Sequence, residues 1–152
     1  MLLSISFVFS QNRYWVTSAP SNWSSNSWSS SATGLPDGLG APTGAQTAIF
    51  TSNFTGDCNV DIAVNINNLR VLSGYVGIID LNGNTFNLNG NSTSHFQDGT
   101  INDTPGTSAI NFNTTGTVQF TGTTINSRIT GIANVIQFSG GIFNGVIDVE
   151  TN

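Results

Sequence analysis

Few residues in this chain have side chains suited to chemistry, and they lie far apart. His95 is the sole histidine and Cys58 the sole cysteine. A general base or nucleophile needs a partner within hydrogen-bond reach to tune its proton affinity, and the sequence sets no such partner beside either. His95 therefore reads as a strand side chain. Cys58 reads as a small buried apolar residue, closed to intrachain disulfides and to cysteine-based metal clusters. The best metal candidates are Asp98 and Asp103, which flank Gly99 to Asn102 and could share a calcium ion. Acids beside glycine equally serve turns. Cleavage of polysaccharide would want a basic side chain near acidic ligands, and Arg128 stands alone in the later part of the chain. No catalytic set and no cofactor site emerges.

Binding chemistry is thin as well. With Lys+Arg 3 against Asp+Glu 8 and a net charge of −5, the chain lacks the clustered cations that a phosphate backbone requires, so nucleic acid is excluded as a partner. Trp23 and Trp28 could stack on sugar rings if exposed, although burial in an aromatic cluster suits them better. Thr114, Thr115, Thr117, Thr121, Thr123 and Thr124 suggest a hydroxyl face of the kind that binds ice, but their spacing is not sustained. Asn-x-Ser/Thr triplets at Asn22, Asn53, Asn91, Asn102 and Asn113 follow from the abundance of these residues. No stretch is apolar for long enough to cross a bilayer.

The elements that must hold these residues are strands. Only 7% of residues are charged, while 38% are apolar, enough for one continuous core. Asn, Ser, Thr and Gly replace the missing charge and disfavour helix nearly throughout. Residues 1–10 carry the apolar pattern of a truncated signal peptide, or of an extra N-terminal strand. Residues 11–57 hold all three tryptophans and three of the four prolines and read as an irregular cap built around Trp15, Trp23 and Trp28. Residues 58–152 show short apolar strands punctuated by Asn and Gly.

Within that last region three segments share one pattern, beginning at His95, Gln119 and Gln137. Each carries Phe, a glycine bend, an apolar residue and Asn at matching offsets, giving Phe96, Phe120 and Phe138, then Asn102, Asn126 and Asn144. The Phe intervals, roughly 18 to 24 residues, match one solenoid coil. Asn82-Gly83 and Asn89-Gly90 are also hairpin signals, so an antiparallel sandwich is the competing fold. Repetition favours an all-β, right-handed, single-stranded parallel β-helix, in which stacked coils bury what a single coil cannot. The three asparagines are then candidates for an amide ladder; if it is buried, Asn126→Leu should cost about 1–3 kcal/mol. The final run, Val146-Ile147-Asp148-Val149, shows no cap.

Taken in order, Tyr14-Trp15-Val16, Ser21-Asn22-Trp23, Trp28-Ser29, Pro42 through Phe50, Cys58 through Asp61, Asn67-Asn68-Leu69 and Leu81 through Thr85 resemble the start of secreted, adhesin-like β-helical surface proteins of Gram-negative bacteria. Gln46 departs from the usual Asp of that pattern, and Ser-Asn-Trp replaces Gly-Asn-Trp. The resemblance covers roughly residues 14–91. It implies export, display at the cell surface and membership of a larger protein, with no shared ligand. The expected function is a structural or adhesive module that meets copies of itself, the remainder of a larger surface protein or cell-surface glycans. The alternatives are a glycan-binding or polysaccharide-degrading β-helix and, further off, an ice-binding solenoid.

Overall fold

The computed structural model describes residues 11–151, so the expectations for residues 1–10 fall outside the described residues. Among the described residues there is no helix. The chain winds through about five turns of a parallel β-solenoid, and each winding lays short strands on three faces.

The first face stacks β1 (Asn12–Trp15), β4 (Thr47–Phe50), β7 (Asn68–Val71), β10 (Ser94–Phe96), and the later halves of β12 (Ala109–Phe120) and β14 (Arg128–Phe138). On the second lie β2 (Ser21–Asn22), β5 (Cys58–Asn59), β8 (Ile78–Asp80), β11 (Thr100–Asn102), β13 (Thr124–Ile125) and β15 (Ile142–Phe143). The third joins β6 (Val64–Ile66), β9 (Phe86–Leu88), the early halves of β12 and β14, and β16 (Ile147–Thr151). All of these neighbours run parallel. The exception is β3 (Trp28–Ser29), which pairs antiparallel with β1.

Side chains alternate in and out along each strand, so a fixed register puts like on like. Phe50, Val71, Phe96, Phe120 and Phe138 form one column. Cys58, Ile79, Ile101, Ile125 and Phe143 form a second, and Val64, Phe86, Ile110, Ile129 and Ile147 a third. The Phe96 and Phe120 rings lie 4.7 Å apart and the Phe120 and Phe138 rings 5.1 Å apart, both pairs stacked.

Turn chemistry explains why the sandwich does not form. Asn82 and Gly83 both adopt positive φ, 47° and 76°, as a hairpin turn would require. The chain instead uses them to round the corner from the second face to the third, where β9 pairs with β6 and β12 and not with β8. A glycine in the strand path has a different cause. Gly131 stands at φ 105°, and a Cβ there would lie 1.9 Å from the carbonyl oxygen of Phe112.

The windings differ in length, chiefly at one corner. Asn102 and Asn126 are separated by 24 residues, whereas Asn126 and Asn144 are separated by 18. Most of the difference is the loop 103–108, whose place one winding later is taken by Ser127 alone; the rest is a register shift between Thr114 and Thr117.

The parallel ladder begins at Asn12, so the segment read as a cap supplies the first rungs as well as the aromatic plug. Trp15, Trp23 and Trp28 are buried, with Trp28 5.1 Å from Trp15 and 4.7 Å from Trp23 between ring centroids. Their indole N–H groups are satisfied where they point inward: Trp15 Nε1 donates to the Gly56 carbonyl and Trp28 Nε1 to the Trp23 carbonyl, each at 2.8 Å.

Candidate functional site: an outward amide ladder and an open end

The three repeat asparagines lie over one another on the outer surface of the second face. Asn126 Nδ2 donates to Asn102 Oδ1 and Asn144 Nδ2 to Asn126 Oδ1, both at 2.7 Å. Asn126 and Asn144 are exposed and Asn102 is half-buried, so the ladder faces solvent instead of closing a buried bend. The column continues towards the N-terminus through Asp80, Asn59 and Asn22, and Asn59 Nδ2 donates to Asn22 Oδ1 at 3.1 Å.

A second ladder escaped the sequence reading. On the outside of the third face Asn87 Nδ2 donates to Asn65 Oδ1 at 2.7 Å and Asn111 Nδ2 to Asn87 Oδ1 at 3.0 Å. In a chain so rich in asparagine, only the strand register distinguishes these positions from their neighbours.

Asp98 and Asp103, the calcium candidates, are occupied otherwise. Asp98 Oδ2 accepts from the Gly74 amide at 2.7 Å and from Ser73 Oγ at 3.1 Å, tying two windings together. Asp103 Oδ1 accepts from the Gly83 amide at 2.8 Å and Oδ2 from the Ser108 amide at 2.6 Å. They sit at opposite ends of β11, and among the described residues no group of three His, Cys, Asp or Glu side chains gathers as a metal site would.

Three further aspartates act in the same way. Asp57 Oδ1 accepts from the Ile78 amide at 2.8 Å. Asp61 accepts from the Ser24 amide at 2.9 Å, and Asp80 Oδ1 from the Asn82 and Thr104 amides at 2.9 and 3.0 Å. Partial burial raises the Asp80 carboxyl, but the hydrogen bonds from Thr104 and Asn82 outweigh it and hold the group below the usual carboxylate range. Arg128, the isolated basic residue, pairs with Asp148 at 2.7 Å.

The other groups with reactive potential are muted by their surroundings. Burial pushes the Cys58 thiol well up, with Asp61 and Asp57 adding to the effect, so the thiolate is disfavoured. Burial lowers His95, helped by the nearby Arg70 cation. Trp23 and Trp28 are too deeply buried to stack on a sugar. Thr114 and Thr123 turn inward, their hydroxyls donating to the carbonyls of Gly90 and Asp98, which interrupts any threonine face.

Arg13 is an unexpected member of the core. It is 1% exposed, and its guanidinium donates to both carboxylate oxygens of Asp37, at 2.9 and 3.0 Å, and to the Gly40 carbonyl at 2.7 Å. The Arg13 guanidinium holds the Asp37 carboxyl far below its ordinary range, with the Leu39 and Ser30 amides contributing.

The last winding is open. Phe138 is 50% exposed and Ile147 44%, although they continue columns that are sealed in the preceding windings, and the outward-facing Ile142 beside them is 57% exposed. Compared with known proteins, the chain matches no family model, no curated protein and no solved structure.

Proposed function

We propose that this chain is a non-catalytic structural module of an exported bacterial surface protein, adhesive in character, whose last described winding presents an apolar edge on which a second copy stacks. The observation that carries this reading is the exposed last rung of Phe138 and Ile147, each continuing an inward column that is sealed one winding earlier at Phe120 and Ile129. Exposed strand edges above an apolar interior are templates for further pairing. The aspartates support a structural role, since those named above fasten backbone amides of the same or adjacent windings. Export and surface display rest on the adhesin-like order of residues 14–91.

Sedimentation velocity over a wide concentration range tests this. Association that strengthens with concentration and is abolished by Phe138→Glu is the expected result. A strictly monomeric chain, or association indifferent to Phe138→Glu, would refute it.

A further inference from the structure

The outward ladder on the second face has one break. An amide whose Nδ2 points to the preceding rung turns its Oδ1 to the following one. Asn59 donates to Asn22, so its Oδ1 faces Asp80; Asn102 accepts from Asn126, so its Nδ2 faces Asp80 from the other side. Asp80 answers neither. Its carboxylate is drawn away by the Asn82 amide and by the amide and hydroxyl of Thr104. Among the described residues, the rung therefore holds an amide acceptor and an amide donor without side-chain partners, on either side of a carboxylate.

The break coincides with a surface depression of about 340 Å³, in whose lining Asn59, Asp80 and Asn102 meet Asp57, Ile78 and Pro20. Ile78 is 37% exposed and offers an apolar flank. We propose that this depression binds a neutral sugar ring. One hydroxyl donates to the acceptors, Asn59 Oδ1 or the Asp80 carboxylate, and an adjacent hydroxyl accepts from Asn102 Nδ2. The C–H face of the ring lies on Ile78 and Pro20. A bare cation would satisfy the oxygens but leave the Asn102 donor unmet, and an acidic sugar would face Asp57 and Asp80. This site is on the side of the solenoid and is independent of what the open end meets.

Asp80→Asn distinguishes this site from a merely structural gap, because a third amide at this rung completes the ladder and removes both unpaired groups. The test is an NMR titration of the full chain, below the concentration at which it associates, with methyl glycosides of glucose, galactose, mannose and N-acetylglucosamine. Glucuronate and calcium chloride are run as separate arms. The expected result is movement of the Asn59 and Asn102 side-chain amide signals with at least one neutral glycoside, and none with glucuronate. Binding should weaken by about tenfold or more in Asp80→Asn, the loss of one charge-assisted bond. If Asp80→Asn fails to fold, Asn102→Asp, which removes the donor but still accepts from Asn126, must give the same loss. The proposal is overturned if no neutral glycoside moves these signals, if the response survives the substitution, or if calcium alone reproduces it.

Discussion

The first and last described windings cover their inward columns to very different extents. At the N-terminal end three tryptophans, Phe50 and an Arg13–Asp37 pair seal the first windings so that Trp15 and Trp28 are 0% exposed. In the last described winding the same inward columns run out into solvent, and Phe138 is 50% exposed although it stacks on Phe120 at 5.1 Å, against 4.7 Å for the inner pair. A stacked ring gains full burial only when a rung lies on both sides of it. The middle of a solenoid is therefore stable because of its neighbours, whereas an end is stable only if something other than a coil covers it.

That contrast can be broken most forcefully at the plug. Trp28→Ala removes ring contacts to Trp15, Trp23 and Phe50 along with the Nε1 bond to Trp23. A loss of about 3–5 kcal/mol in chemical denaturation is expected, as for deletion of a fully buried aromatic. The columns give the next test, because the same substitution can be made at a sealed and an open rung. Phe120→Ala, at 0% exposure, should cost about 3–4 kcal/mol, and Phe138→Ala no more than about half of that, when both are measured in the monomeric chain. Equal losses would mean that the sealed and the open rung are not different in kind.

Acid sharpens the same comparison. The Asp37 carboxyl titrates lower in the folded chain than its ordinary value of about 3.9, so its contribution is present above that value and is lost as pH falls below it. Asp37→Asn should lower the denaturation midpoint at neutral pH, by leaving the Arg13 guanidinium buried without its counter-charge, and the gap from the parent should narrow on acidification. A gap that is constant with pH would separate Asp37 from the plug. The smallest effect is expected on the outer ladder. Asn126→Leu should cost less than about 1 kcal/mol, because Asn102 and Asn144 can turn to water at an exposed rung.

These expectations also mark how far the sequence could be read. The coil repeat was legible because Phe96, Phe120 and Phe138 recur with glycine and asparagine at matching offsets, and stacking demands that recurrence. The tryptophan plug was legible because large aromatics concentrate in one segment. The direction in which the asparagines face was not, since it depends on the corner at Gly122 to Asn126 and not on spacing. Asn82-Gly83 supports a hairpin and a solenoid corner with the same backbone angles, and only the pairing of β9 separates them. The Arg13–Asp37 pair and the break at Asp80 arise from loops folding back across windings, for which no local pattern exists.

The stacking of like residues across windings is tested most directly by nuclear Overhauser contacts in the full-length chain. Contacts are expected from Ile79 to Ile101 and from Ile101 to Ile125, and between the rings of Phe96, Phe120 and Phe138, with the cross-strand pattern of parallel pairing. Antiparallel contacts between β8 and β9 across Asn82-Gly83, with the three phenyl rings apart, would contradict the solenoid and everything built on it.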